Sequence, residues 1–150
     1  MYHFILSVNR KNLFKNIHLN AMNKTLRATL IAHDGKKSDM VSFVLNNKEL
    51  LKNMDLYATG TTGTKIEKEG FTITKLLSGP LGGDAQIASM IATDRIDIVI
   101  FFRDPLDKHP HEPDVQMLIR LCDVHNVPLA TNPKGAYYLL RGVKDILEEG

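Results

Sequence analysis

A single cysteine, Cys122, excludes any internal disulfide, so this chain must hold its fold by packing and backbone hydrogen bonds. A reducing, cytoplasmic setting suits it. Cys122 lies in a helical apolar pattern and reads as a buried, inert thiol. The sequence also lacks a charge excess. Its formal net charge is +2, which calls for neither nucleic acid nor a membrane surface as partner. No apolar run approaches the ~20 residues needed to span a bilayer. Internal repeats, linkers and low-complexity tracts are absent.

What is present is ordinary globular material. The 150 residues fit one domain, and a hydrophobic share of 43% with 24% charged residues supports one full core. The first 21 residues stand apart. Tyr2, Phe4, Ile5 and Leu6 come before Arg10, Lys11 and Lys15, the reverse of a secretory signal. Residues 1–21 are expected to be an extension, poorly ordered unless tied down, ahead of a domain spanning 22–150.

Along that domain, apolar runs and helical spacing alternate. Strands are predicted at Leu26–Ala32, Asp55–Ala58, Phe71–Leu77, Ile96–Phe102 and Pro128–Ala130. Helices are predicted at Ser38–Leu51, Lys65–Glu69, Asp84–Thr93, Asp114–His125 and Lys134–Leu140, with Ser38 as an N-cap and Gly70 closing the second. Ile96–Phe102 is apolar almost throughout, so it should be central and covered on both faces. Five strand–helix alternations with short connections imply an α/β fold with three layers: a five-stranded, mostly parallel sheet with helices on both faces.

Ligands of such folds bind beyond the carboxyl ends of the strands. The polar and glycine residues collect there: His33, Asp34 and Lys37 after strand one, Thr59 to Gly63 after strand two, Ser78 to Asp84 after strand three, and Asp104 to Asp114 after strand four. Thr59, Gly60, Thr61 and Thr62 come just before a helix and form either a phosphate cradle or a plain capped turn. No Walker lysine follows, so a nucleoside triphosphate is not suggested. Lys37 opens a helix, where a cation opposes the dipole; an anion bound nearby gives it a purpose, and a solvated surface lysine is the alternative. Ser78 and Gly79 begin a turn with three glycines and a proline. Asp84 ends it, either as an acid favoured by the helix dipole or as a carboxylate base. Asp104, Asp107, Glu112 and Asp114 share the fourth loop with His109 and His111, an arrangement that can hold and pass a proton. Asp114 is alternatively the N-cap of the next helix. His109 and His111 among acids also raise a metal, but there is no i, i+4 histidine pair and no thiolate partner, so none is expected.

These loops together resemble the methylglyoxal synthases. The resemblance rests on Ala32-His33-Asp34 with Lys37, Tyr57 to Gly63 (YATGTTG), Leu77 to Asp84 (LSGPLGGD), Phe101 to Leu106 (FFRDPL) and Pro110 to Val115 (PHEPDV). It covers nearly all of residues 26–132 and leaves the N-terminal extension out. It implies a methylglyoxal synthase-like, flavodoxin-like fold, a cytoplasmic hexamer, and inhibition by phosphate. It also implies conversion of dihydroxyacetone phosphate to methylglyoxal and inorganic phosphate without metal or cofactor. Asp84 is then the base, with Asp104, His111 and Asp114 assisting proton movement. His33, Asp34, Lys37, Thr59, Gly60, Thr61, Thr62, Ser78 and Gly79 grip the substrate. The same fold serves elsewhere as the regulatory domain of carbamoyl phosphate synthetase and in the purine enzyme that closes the inosinate ring. A phosphate-sensing module is therefore the rival expectation, but it would not need the acids.

Overall fold

The computed structural model describes residues 25–107 and 112–148, so the expected extension over 1–21 and His111 lie outside the described residues. Five strands form one sheet: β1 (Arg27–Ala32), β2 (Asp55–Thr59), β3 (Thr74–Leu76), β4 (Ile98–Phe102) and β5 (Leu129–Ala130). The helices are α1 (Lys37–Asn46), α2 (Lys48–Leu51), α3 (Gly60–Lys68), α4 (Gly83–Ala92), α5 (Glu112–Val124) and α6 (Pro133–Glu148). Strand order is β3-β2-β1-β4-β5 and every pairing is parallel. The chain winds outward from β1 to β3, then crosses back to start β4 beside β1. That crossing opens a crevice at the carboxyl ends of β1 and β4.

Alternation along the central strands sorts the core into two layers. Ala28, Leu30 and Ala32 of β1 face one side with Ile98, Ile100 and Phe102 of β4. Met40, Phe43 and Val44 of α1, Ile66 of α3, and Ala136 and Leu140 of α6 cover them. Ile31, Val99 and Phe101 face the other side, under Ile87 and Ile91 of α4 and Val115, Leu118 and Cys122 of α5. All five residues of β4 are buried, as expected of a strand covered on both faces.

At the opposite edge from the crevice, Arg27 and Asp97 fasten the starts of β1 and β4. The Arg27 backbone N–H donates to Asp97 Oδ2 at 2.8 Å, and its guanidinium donates to both carboxylate oxygens at 2.9 and 3.0 Å.

Several boundaries differ from the sequence expectation. The first helix breaks at Asn47, whose amide donates to the Phe43 carbonyl at 2.8 Å. Ser38 is not its N-cap: a 3-10 turn over Asp34–Lys36 leads straight into Lys37, placing Ser38 inside the helix. Likewise Asp114 lies within the first turn of α5, past its N-cap position. Gly70, with φ of +91°, follows the C-cap of α3 as expected, but that helix begins at Gly60 and not at Lys65. α6 runs to Glu148 rather than stopping at Leu140, because Leu139 and Val143 continue its packed stripe across Gly142. A mid-helix glycine costs about 1 kcal/mol, too little to end a helix held by tertiary packing.

Candidate active site

Beyond the carboxyl ends of β1, β2 and β3 lies a cavity of about 370 Å³. Ten residues expected from sequence line it: His33, Asp34, Lys37, Thr59, Gly60, Thr61, Thr62, Ser78, Gly79 and Asp84. The separate turns do meet on one small volume.

Close approach of backbone explains how. A Cβ on Gly60 would stand 2.9 Å from Ser78 Cβ, so only glycine lets the end of β2 press against the turn after β3. A Cβ on Gly83 would stand 2.0 Å from the Leu77 carbonyl oxygen. With that space open, the Gly83 N–H donates to the Ser78 carbonyl at 2.9 Å, and the Leu77 N–H donates to Gln86 Oε1 at 2.9 Å. The turn therefore folds back on the start of α4, and Asp84 is carried over Gly79. Both Asp84 carboxylate oxygens lie 3.2 Å from where a Gly79 Cβ would be.

The other wall carries groups that suit an anion. Thr59 stands at the N-cap of α3 in extended conformation, and its side chain makes no bond to the first N–H groups of the helix. Those groups and the helix dipole favour an anion. Thr62 is 1% exposed, and its Oγ1 has no hydrogen-bond partner among the described residues. A buried hydroxyl left unbonded at a cavity wall points to a ligand as its partner. Lys37 Nζ reaches across from α1 and donates to Thr61 Oγ1 and to Asp34 Oδ1, the latter at 2.6 Å. An incoming anion meets a lysine already aimed at the threonine turn.

His33 is fixed from behind. Its Nδ1 accepts the Asp104 backbone N–H at 3.0 Å, and its ring packs edge-on to Phe101 with centroids 5.1 Å apart. An imidazole that accepts at Nδ1 carries its proton on Nε2.

Asp104 and Asp114 are not among the lining residues. The Asp104 carboxylate serves its own loop: Oδ1 accepts the Leu106 N–H at 3.1 Å, and Oδ2 lies 2.6 Å from where a Gly35 Cβ would be. Asp107 lines the cavity instead, with Pro80, Phe101 and Val115 as apolar wall. The sequence marked Asp107 only as one acid among four; which of them reaches the cavity depends on how the loop closes. Among the described residues, no group of three or more His, Cys, Asp or Glu side chains is placed to hold a metal ion. No helix among them is long and apolar enough to cross a membrane.

Known proteins resemble this chain over most of its length. A family model described as the MGS-like domain matches residues 39–131. The methylglyoxal synthase of Bacillus subtilis (strain 168) is 56% identical over 126 residues, covering 83% of this chain and 89% of the relative. That of Carboxydothermus hydrogenoformans is 53% identical over 119 residues, covering 79% of this chain and 98% of its own. Among solved structures, the methylglyoxal synthase of Elizabethkingia anophelis NUHP1 superposes with a TM-score of 0.74 at 47% identity, covering 77% of each chain. By sequence and by structure, the chain belongs to the methylglyoxal synthase family.

Proposed function

We propose that this protein is a methylglyoxal synthase, a carbon–oxygen lyase that converts dihydroxyacetone phosphate to methylglyoxal and inorganic phosphate. One observation carries the reading: the Asp84 carboxylate and the start of α3 face the same cavity. A proton acceptor and a phosphate grip thus address the two ends of one small molecule.

The chemistry follows from that placement. The phosphate sits at the start of α3, on the first N–H groups, the Thr61 and Thr62 hydroxyls, Ser78 and Lys37 Nζ. Asp84 takes a proton from the hydroxymethyl carbon. Negative charge then grows on the carbonyl oxygen, toward which His33 would donate its Nε2–H. The hydroxyl on the former hydroxymethyl carbon then gives up its proton and becomes the aldehyde carbonyl, the enediol π electrons move toward the phosphate-bearing carbon, and phosphate departs with the electron pair of the C–O bond. The departure requires that bond to stand perpendicular to the enediol plane. A phosphate held from several sides fixes this torsion before the proton is removed. The enol product becomes methylglyoxal by taking a proton on carbon. By the family resemblance, Asp104, His111 and Asp114 would assist these proton movements; Asp104 and Asp114 do not line the cavity and would act through an intervening group.

Purified protein should release methylglyoxal and phosphate in equal amounts from dihydroxyacetone phosphate, with a chelator present. Absence of turnover with intact phosphate binding would favour the sensing module. We further propose a cytoplasmic homo-oligomer, a hexamer as in the family resemblance, subject to inhibition by its phosphate product. Leu77, Leu81 and Leu106 support an assembly, being 52%, 74% and 94% exposed on the connections that carry the site. Light scattering on the eluting protein tests it, and a monomer at micromolar concentration would refute it.

A further inference from the structure

The turn that carries Asp84 is closed by two kinds of bond, and they do different things. Within it, the Ser78 carbonyl accepts the Leu81 and Gly83 N–H groups at 3.0 and 2.9 Å, and the Gly79 carbonyl accepts the Gly82 N–H at 3.1 Å. These bonds join residues of the turn to one another, so they move with it. One side-chain bond reaches beyond the turn: the Leu77 N–H donates to Gln86 Oε1 at 2.9 Å, across nine residues. The end of β3 explains the donor. Its last pair with β2 is Leu76 with Thr59, because β2 gives way to α3 at Gly60. Leu77 is the first residue past that pair, and its N–H needs a partner from elsewhere. Gln86 supplies it from α4, and so ties the exit of β3 to the helix that Asp84 heads.

We infer that Gln86 is a positioning residue for Asp84. This rests on the proposed reading, in which Asp84 is the base. Gln86 does not line the cavity that Asp84 lines, so it acts through the turn and not on the substrate. Residues two apart on a helix point to different sides. Asp84 lies over Gly79, its carboxylate oxygens 3.2 Å from where a Cβ there would be, while Gln86 holds the entering leg of the turn at Leu77. Leu77 and Gln86 are both exposed, so water can replace their bond and its loss costs little stability. Placement matters more. β3 lies beside β2, whose end delivers Thr59 to Thr62. A slack joint between β3 and α4 lets the base drift from a substrate whose phosphate is held at α3, and a misplacement of about 1 Å can cost about a hundredfold in rate.

The test uses two variants of the full-length protein. Q86M keeps the length and helix preference of the side chain but offers only a weak thioether acceptor. Q86E keeps a carboxylate oxygen that can accept the Leu77 N–H. In Q86M, kcat for dihydroxyacetone phosphate should fall about ten- to a hundredfold. KM and the calorimetric affinity for inorganic phosphate should stay within about threefold of wild type, because the phosphate contacts lie mainly on α1 and α3. The urea midpoint should stay close to that of wild type. Q86E should recover kcat to within about fivefold of wild type. A normal kcat in Q86M overturns the inference, as does a Q86E no faster than Q86M. Loss of phosphate affinity and urea midpoint in step with kcat also overturns it, since that marks a merely structural role. Wild-type turnover is measured alongside: its absence counts against the proposed function, whereas normal wild-type turnover with an unimpaired Q86M counts against the role of Gln86 alone.

Discussion

Gly60 and Ser78 meet where β2 and β3 end, and no side chain larger than hydrogen fits on the glycine. Its φ is +39°, and a Cβ there would lie 2.9 Å from Ser78 Cβ and 3.0 Å from Ser78 Cα. This contact joins the anion grip to the turn that carries Asp84. Gly60→Ala must shift one of the two turns, and the added left-handed strain is about 1 kcal/mol or more. Stability should fall by about 1–3 kcal/mol in urea unfolding, and kcat/KM by more than tenfold, because small misplacements at a reacting centre are amplified. An unchanged kcat/KM would show that the two turns need not be held together.

Asp84→Asn keeps the shape of the side chain over Gly79 and removes its basicity. Turnover should fall by about two to four orders of magnitude, the usual range for a positioned base. Binding of phosphate, followed by calorimetry, should remain within a few-fold. Loss of both together would point to collapse of the turn and not to lost proton abstraction.

Thr62 offers a separation of stability from binding. Its buried hydroxyl has no partner among the described residues, so Thr62→Val removes an unsatisfied group while keeping the branched shape. The free protein should be as stable as wild type, or more stable by up to ~1 kcal/mol. KM for the triose phosphate should nevertheless rise severalfold, and phosphate should protect the variant less against heat. If phosphate protected the variant as well as wild type, the hydroxyl would not be part of the grip.

How far the sequence foretold the fold depends on what fixes each element. β4 was legible because a strand buried on both faces reads as an unbroken apolar run, and Ile98–Phe102 is one. The gathering of His33, Lys37, Thr59–Thr62, Ser78 and Asp84 was legible because parallel strands deliver their loops to one edge. The start of α3 was not. Gly60, Thr61, Thr62, Gly63 and Thr64 are poor helix formers, and local preference places the helix at Lys65. Tertiary contacts override this: Gly63 packs with its Cα against Lys75 and Ala58, and Thr62 is buried. Nor was the choice between Asp104 and Asp107. Four acids in one loop look alike until the Leu106 N–H claims the Asp104 carboxylate.

Cys122 gives a pH signature far from the site. Burial against α4, with a smaller push from Asp123, raises its thiol from an ordinary value of 9.0 to about 11. The folded chain therefore holds this proton more tightly than the unfolded chain. Below pH 9 both states keep it and its full contribution to stability is present. Between 9 and 11 the unfolded chain releases the proton while the folded chain retains it, so stability falls as pH rises. Lysines and tyrosines titrate in the same window, so the difference between wild type and Cys122→Ala isolates the thiol. The alanine variant should start less stable, by about 1–3 kcal/mol for the lost buried volume, and should lose less on going from pH 8.5 to 10.5. Urea midpoints across that range provide the measurement. Parallel curves for the two proteins would mean that Cys122 ionises equally in both states, and that the packing of α5 on α4 does not shield it.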